Sequence, residues 1–329
     1  MTSPFVDAPR LRRWEATWEG LWQRRAVVFA TPGEGLAALR QVMGWPPGED
    51  WWLSPLLAPG WREGGAAAAL AGRWLDVASE SGLARLDESH PPARGWILPH
   101  PFGLPQPAPA PGAFRLEEIS GVLRPFAGCG WGEVQAAWLD GNGLLAGGGC
   151  PWLCGDDALA EALRGRRRRL PSALSCELGL AQMERLETLL AMRRERAEGY
   201  LALRDRGLYG KPPGGERAWE GFHLQLPLGA WRDDLAAFLR KGGIGAGPPI
   251  GWAAADLPQE AHPAGEGPGM TRLRQCGLRL PLYAALSRSD HKKIINRLHR
   301  WTERRARREG DPPEEETHFL GEDAPHGTA

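Results

Sequence analysis

Lysine is nearly missing from this chain: the 40 basic residues are arginines apart from Lys211, Lys241, Lys292 and Lys293. Chemistry that needs a side-chain amine therefore has few candidates. Long apolar runs are missing too. The first 25 residues are studded with arginine, and no stretch elsewhere approaches a membrane span, so neither a signal peptide nor a transmembrane helix is expected and the chain reads as cytoplasmic. An excess of one charge is also lacking: 40 acidic residues balance the 40 basic ones, which removes any general attraction to nucleic acid or an anionic membrane. Cysteine is sparse and odd in number (Cys129, Cys150, Cys154, Cys176, Cys276), which argues against a disulfide framework. The CxxxC spacing of Cys150 and Cys154 has no His/Cys pair behind it at zinc spacing, so buried thiols are expected there and no metal site.

What is present suits a globular enzyme-sized fold. A chain of 329 residues, 42% of them hydrophobic, can fill one large domain and a smaller one. Trp14, Trp18 and Trp22 stand four apart, so they share one face of a helix over 10–24, and large aromatics at that period are expected to be core. A short apolar strand follows at 26–30, then the glycine-rich turn 31–35 and a helix from Leu36 to Met43. That order points backbone N–H groups at an anion, although many α/β units begin so without binding one. Further strands are predicted at 51–53, 96–98, 222–226 (half-exposed) and 278–280. Further helices are predicted at 66–75, as one long amphipathic element over 170–200, at 232–240, and from a Ser287 N-cap to about Arg308. The proline-rich stretch 99–113 reads as an extended loop and 210–217 as a hinge-like break. Strands alternating with helices imply an α/β fold with a mainly parallel sheet.

Several segments then line up in order with one family. Glu34-Gly35-Leu36-Ala37-Ala38-Leu39 is similar to a Ser-Gly-Thr-Ala-Ala-Leu turn, and Pro47-Gly48-Glu49-Asp50 to a Pro-Gly-Asp-Glu strand start. Pro99-His100-Pro101-Phe102-Gly103 resembles Val-His-Leu-Phe-Gly, and Gly155-Asp156-Asp157 an Asn-Asp-Asp helix start. Leu178-Gly179-Leu180-Ala181-Gln182-Met183-Glu184-Arg185-Leu186, Gly243-Ile244-Gly245 and Leu280-Pro281-Leu282-Tyr283 complete the series. Together they resemble the DegT/DnrJ/EryC1/StrS (nucleotide-sugar aminotransferase) family from about residue 10 to 302, patchily between 55 and 135.

The resemblance implies the fold of a fold-type-I pyridoxal-phosphate aminotransferase. Its large domain would span 1–215, with a mainly parallel sheet, its small C-terminal α/β domain 216–305, and a disordered tail 306–329. It also implies a cofactor pocket whose positions fall on Gly35, Leu36, Glu118, Gly121, Gly141 and Asn142. The family's Schiff-base lysine falls on Gly141, which offers no amine, and Lys211 is the nearest lysine in sequence. The phosphate-binding threonine falls on Leu36, with Glu34 adding a negative charge beside it. The aspartate on the pyridine nitrogen falls on Glu118, its neighbour on the cofactor hydroxyl on Gly121, and a nearby serine on Ala136. The small-domain arginine segment reads Gly247-Pro248-Pro249. A pocket of vestigial positions is therefore expected, with no catalytic residue and no covalently held pyridoxal phosphate; the expected cofactor is none.

The function expected from this is a non-catalytic or partner subunit in nucleotide-sugar or polysaccharide metabolism. It would be a homodimer, or pair with an active family member, and take at most a nucleotide-sugar ligand. The alternatives are an active aminotransferase whose lysine lies elsewhere, or an enzyme with a remodelled cleft. The Arg166 to Arg169 run is expected to be a solvated face.

Overall fold

The computed structural model describes residues 8–86, 90–140, 143–203, 216–250 and 267–309. The hinge predicted at 210–217 therefore lies outside the described residues up to 215, as does the tail from 310 on.

Helix α1 (Ala8–Trp22) leads into β1 (Arg25–Phe29), and α2 (Pro32–Val42) follows. Next come β2 (Asp50–Leu53), α3 (Pro59–Ala67), β3 (Ala71–Trp74), β4 (Gly95–Pro99), β5 (Phe114–Glu118), β6 (Val134–Ala136), β7 (Cys150–Cys154) and α4 (Asp157–Arg166). The seven strands form one sheet in the order β1-β7-β6-β5-β4-β2-β3. Its β3-β2-β4-β5-β6 stretch is parallel, while β7 runs antiparallel to both β6 and β1. This is the mainly parallel α/β sheet expected of the fold.

Strand period explains how the sheet is buried on both sides. In β1, Ala26 and Val28 pack into a core with Trp14, Trp18 and Trp22 of α1. Val27 and Phe29 face the other way, into a core with Leu36, Leu39, Trp61 and Trp152. The tryptophans spaced four apart are buried as their period implied. Two of them also have polar anchors: the Trp14 indole donates to the Gly148 carbonyl and the Trp22 indole to that of Leu123, each at 2.8 Å.

The long helix predicted over 170–200 is two. Helix α5 (Ala173–Met183) starts at Ser172, whose hydroxyl accepts the Ser175 N–H, and α6 (Leu186–Leu201) follows after a break at Arg185, where φ is −110° and ψ 7°. The break redirects the apolar period. Leu186 and Leu190 are buried, but Leu174 is 80% exposed and Leu178 49%. The helix predicted at 66–75 divides into the end of α3 and the strand β3, because the chain turns at Ala69, whose φ is +56°.

The C-terminal part pairs β8 (Phe222–Gln225) with β9 (Gly277–Leu280) in a two-stranded antiparallel sheet. All four β8 residues are buried, against the half-exposed strand expected. Helices α7 (Gly229–Arg240), α8 (Pro268–Cys276) and α9 (Arg288–Glu309) surround it. The Ser287 hydroxyl accepts the Asp290 N–H at the start of α9, and the helix ends at Glu309, next to the end near Arg308 read from the sequence. Helix α6 joins the two parts: Leu186 and Leu190 belong to the core around α1, whereas Ala197 and Tyr200 belong to the core of the small sheet, where the Tyr200 hydroxyl donates to the Pro281 carbonyl at 2.8 Å. Among the described residues, no helix is long and apolar enough to cross a membrane.

Candidate functional site

A cleft of about 720 Å³ opens where the parallel strands end. Its walls are the segments that directly follow β2 (Pro55 to Pro59), β4 (His100 to Phe102), β5 (Ser120, Gly121) and β6 (Trp138, Asp140), and the C-terminal part closes it with Arg279 of β9 and with Glu220, Pro249 and Ile250 from the segments outside the small sheet. The carboxyl ends of parallel strands are where open α/β sheets bind ligands, because the chain must leave the sheet there and its loops diverge.

Glu118, the last residue of β5, forms the floor. Its carboxylate accepts the backbone N–H of Ser120 at 3.0 Å and a short hydrogen bond from the Ser120 hydroxyl. That hydroxyl also accepts the Trp138 N–H at 2.6 Å, tying the end of β5 to the end of β6. Burial raises the Glu118 carboxyl to about 7, against the lowering pull of the Ser120 bonds; the negative charge of Glu220 pushes it up further. Near neutral pH the floor of the cleft thus carries an acid poised between its two forms.

The other positions singled out in the sequence divide into two groups. Gly121 lines the cleft with Glu118. Gly35 and Leu36 do not: Leu36 is buried in the core, and the Trp152 indole fills the space a β-carbon on Gly35 would need. The start of α2 is used internally as well. Thr31 caps the Glu34 N–H, and the Glu34 carboxylate accepts the backbone N–H groups of Arg168 and Arg169 at 2.9 and 2.5 Å. Helix α3 crosses it so closely that a β-carbon on Gly33 would lie 2.8 Å from the Gly64 Cα. An anion has no place at this helix end, and Glu34 supplies a charge of the chain's own. Gly141 and Asn142 lie outside the described residues, between the cleft-lining Asp140 and Gly143. Lys211 is outside them too, and the three described lysines are exposed on α9 and at the end of α7, away from the cleft.

The arginine run is not simply solvated. Arg167 meets the buried Glu15 at 2.6 Å, and Glu15 also accepts the Val28 N–H, so the pair fastens α1 to β1.

Sequence reading missed a polar cluster behind the floor. Glu117 is fully buried and accepts bonds from His100 Nε2 (2.8 Å), the Gly130 N–H (2.8 Å), the Gly132 N–H (3.2 Å) and Gln135 (3.2 Å). His100 Nδ1 accepts the Gln106 N–H at 2.9 Å, which fixes the ring proton on Nε2. Cys129 lies beside them, its thiol pushed up to about 12 by burial first and by the Glu117 charge second. His100, Glu117 and Cys129 bring their ligand atoms within 4.8 Å of one another. Both imidazole nitrogens and the carboxylate are already engaged, so the group acts as a hydrogen-bonded strut between β4 and β5. The arginine at the small-sheet wall, Arg279, was missed as well, because an isolated arginine in a strand carries no motif.

Residues 153–299 match the model of the DegT/DnrJ/EryC1/StrS aminotransferase family. A DegT DnrJ EryC1 StrS aminotransferase from Brucella abortus superposes with a TM-score of 0.75 at 19% identity, covering 91% of this chain and 92% of the other. NtdA from Bacillus subtilis with its cofactor PMP bound gives a TM-score of 0.79 at 12% identity, over 91% of this chain and 78% of the other. The putative sugar aminotransferase Spr1654 from Streptococcus pneumoniae, in its PMP form, gives 0.72 at 11% identity, covering 92% of each chain. No curated protein matches the sequence. Two of these structures are PMP forms, and this overturns the expectation, read from Gly141, that the cofactor of this chain is none. The chain thus resembles the DegT/DnrJ/EryC1/StrS aminotransferases in sequence over residues 153–299 and shares their fold over nine-tenths of its length.

Proposed function

We propose that this chain binds pyridoxamine 5′-phosphate (PMP) or its aldehyde counterpart through non-covalent contacts alone, and that it works beside an active sugar aminotransferase rather than running lysine-dependent transamination itself. The observation that carries the reading is the cleft lining: it includes an acid suited to a pyridine nitrogen, Glu118, but no lysine among the described residues, and the sequence between Asp140 and Gly143 is Gly-Asn. When bound, such a cofactor supplies an amine and a ring that accepts electrons. The chain's own contribution is to hold it. Glu118 would accept the ring N–H, and Leu56, Leu57, Pro101 and Phe102 give the apolar walls a flat ring needs. The usual helix-end phosphate contact is closed by the α2–α3 packing and by Trp152, so the fit is to the ring half of the cofactor.

Partnership is part of the same proposal. Leu174 and Leu178 stand on one face of α5, four residues apart and exposed, as residues of a subunit contact would be. The partner is a second copy or an active family member; light scattering of the purified chain, alone and with a co-encoded aminotransferase, reports either. A strict monomer in both samples counts against partnership.

The cofactor reading is tested by incubating the full chain with pyridoxal phosphate, reducing with borohydride and measuring intact mass, next to calorimetric titration with PMP. Binding of PMP with no adduct after reduction is expected. A cofactor-sized adduct on any lysine, Lys211 included, would overturn the non-covalent reading, and absence of PMP binding would overturn the cofactor.

A further inference from the structure

The wall opposite Glu118 is built around an arginine whose backbone is held from both sides. Arg279 pairs with His223 across the small sheet, and on its other side its N–H donates to the Gly247 carbonyl at 2.7 Å. Its side chain crosses Gly221 so closely that a β-carbon there would stand 3.3 Å from Nε and Nη2. It ends on Glu220, with Nη2 to Oε1 at 2.8 Å. The acid of this pair is the sheltered partner: the Glu220 side chain is 15% exposed and that of Arg279 38%. Glu220 is anchored from behind, since Arg193 donates to its carbonyl at 2.9 Å. One carboxylate contact at Nη2 leaves most of the five guanidinium donors without a bond to it, on a side chain that lines the open cleft.

We propose that Arg279, positioned by Glu220, is the oxyanion-binding group of this cleft. It takes the carboxylate or phosphate of a ligand whose ring nitrogen faces Glu118. The planar guanidinium fork matches either oxyanion, whereas the closed end of α2 can hold neither. The inference rests on the cofactor reading only for the identity of the ring; the anion contact stands on the Arg279–Glu220 geometry. It assigns specificity to a residue of the small sheet, on the wall that shares the cleft with Glu118.

Calorimetric titration of the full chain with PMP, pyridoxamine, 2-oxoglutarate and inorganic phosphate tests it, using the parent, Arg279→Gln and Arg279→Lys. Thermal unfolding of each variant checks that the fold is kept. In Arg279→Gln, affinity for the oxyanion-bearing probes is expected to fall at least about tenfold while pyridoxamine changes less than about twofold; a tenfold loss is about 1.4 kcal/mol. Arg279→Lys, which keeps the charge but loses the fork, should fall between. The probe that responds identifies the anion: PMP and phosphate for a phosphate group, 2-oxoglutarate for a carboxylate. Equal affinities in parent and Arg279→Gln for every probe would overturn the proposal while leaving the cofactor reading standing. If 2-oxoglutarate binds through Arg279 but PMP and pyridoxamine do not bind, the anion site survives and the cofactor reading fails. No binding of any probe removes both.

Discussion

The carbonyl oxygen of His100 occupies the space in which a β-carbon on Gly121 would have to stand. The obstacle is backbone, so it cannot swing aside as a side chain would. Gly121 is thus required by packing at the mouth of the cleft, whatever its place in a cofactor pocket. Gly121→Ala should destabilise the fold by about 1–3 kcal/mol, the usual cost of overpacking. Gly65→Ala is the control: it lies in α3 with nothing within 4 Å of its β-carbon, and alanine favours helix by up to about 1 kcal/mol. Urea unfolding of the two variants should move in opposite directions, and equal midpoints would refute the packing argument.

The break at Arg185 separates two leucines that the sequence treats alike. Leu186 is 5% exposed inside the core around α1, so Leu186→Ala should cost on the order of 2–5 kcal/mol. Leu178 is half-exposed, and Leu178→Ala should cost less than about 1 kcal/mol in a monomer. Chemical denaturation of both variants separates a broken helix from a continuous one: equally large losses would restore the single long helix.

Glu118 makes stability depend on pH with a definite sign. Its folded carboxyl sits at about 7, above the ordinary 4.5, so the native state holds the proton more tightly than the unfolded chain does. The benefit of the neutral acid is complete below the unfolded value and is lost as pH rises through the folded one, a difference of roughly 3 kcal/mol at full extent. Glu118→Gln keeps an acceptor for the Ser120 N–H and cannot ionise. The variant should match the parent near pH 4.5 and be the more stable protein at pH 8.5. His223, which burial holds down at about 4, has the opposite dependence but is present in both proteins and cancels in the comparison. A stability difference that stays flat between those two pH values would show that Glu118 ionises without penalty.

Much of the fold was legible because it is written in periodic residues. The α1 tryptophans, the apolar β1 and the Ser287 cap each carry a local signal that tertiary structure did not override. Strands β5, β6 and β7 were not predicted, since Phe-Arg-Leu-Glu-Glu and Val-Gln-Ala have little apolar alternation and Cys150 to Cys154 holds a proline. Their buried polar residues are satisfied by partners far along the chain, such as Glu117 by Gly130 and Gly132, which no local pattern reveals. The site was half legible. Glu118 and Gly121 do line the cleft, but the burial of Gly35 and Leu36 depends on Trp152, more than a hundred residues away, and on the Gly33–Gly64 approach. Arg279 could be found only in space.

The last prediction concerns Arg193, which joins the cleft to the small sheet. Its guanidinium is buried and donates to four carbonyls from three segments: Gly143 at 3.3 Å, Trp219 at 3.4 Å, Glu220 at 2.9 Å and Leu282 at 3.0 Å. Burial, with the Arg279 cation adding to it, lowers its pKa from the usual guanidinium value, although the Glu220 charge opposes the shift. What holds a cation there is the set of carbonyl dipoles, each bond to a charged donor being worth about 1.5–3 kcal/mol and its loss leaving a buried acceptor unmatched. A lysine carries the charge but only a compact ammonium, which cannot reach carbonyls spread across the face of a guanidinium. Arg193→Lys should therefore destabilise by about 2–4 kcal/mol, and Arg193→Met by at least as much. Because two of the four carbonyls belong to Trp219 and Glu220, the backbone that places Glu220 under Arg279 should loosen first. Hydrogen exchange of the full chain should show faster exchange at 219–225 and 277–282 in Arg193→Lys, with the α1 and β1 amides unchanged. Uniform acceleration across the chain would mean that Arg193 supports only global stability, and unaltered exchange at 219–225 would mean that the guanidinium does not carry this joint.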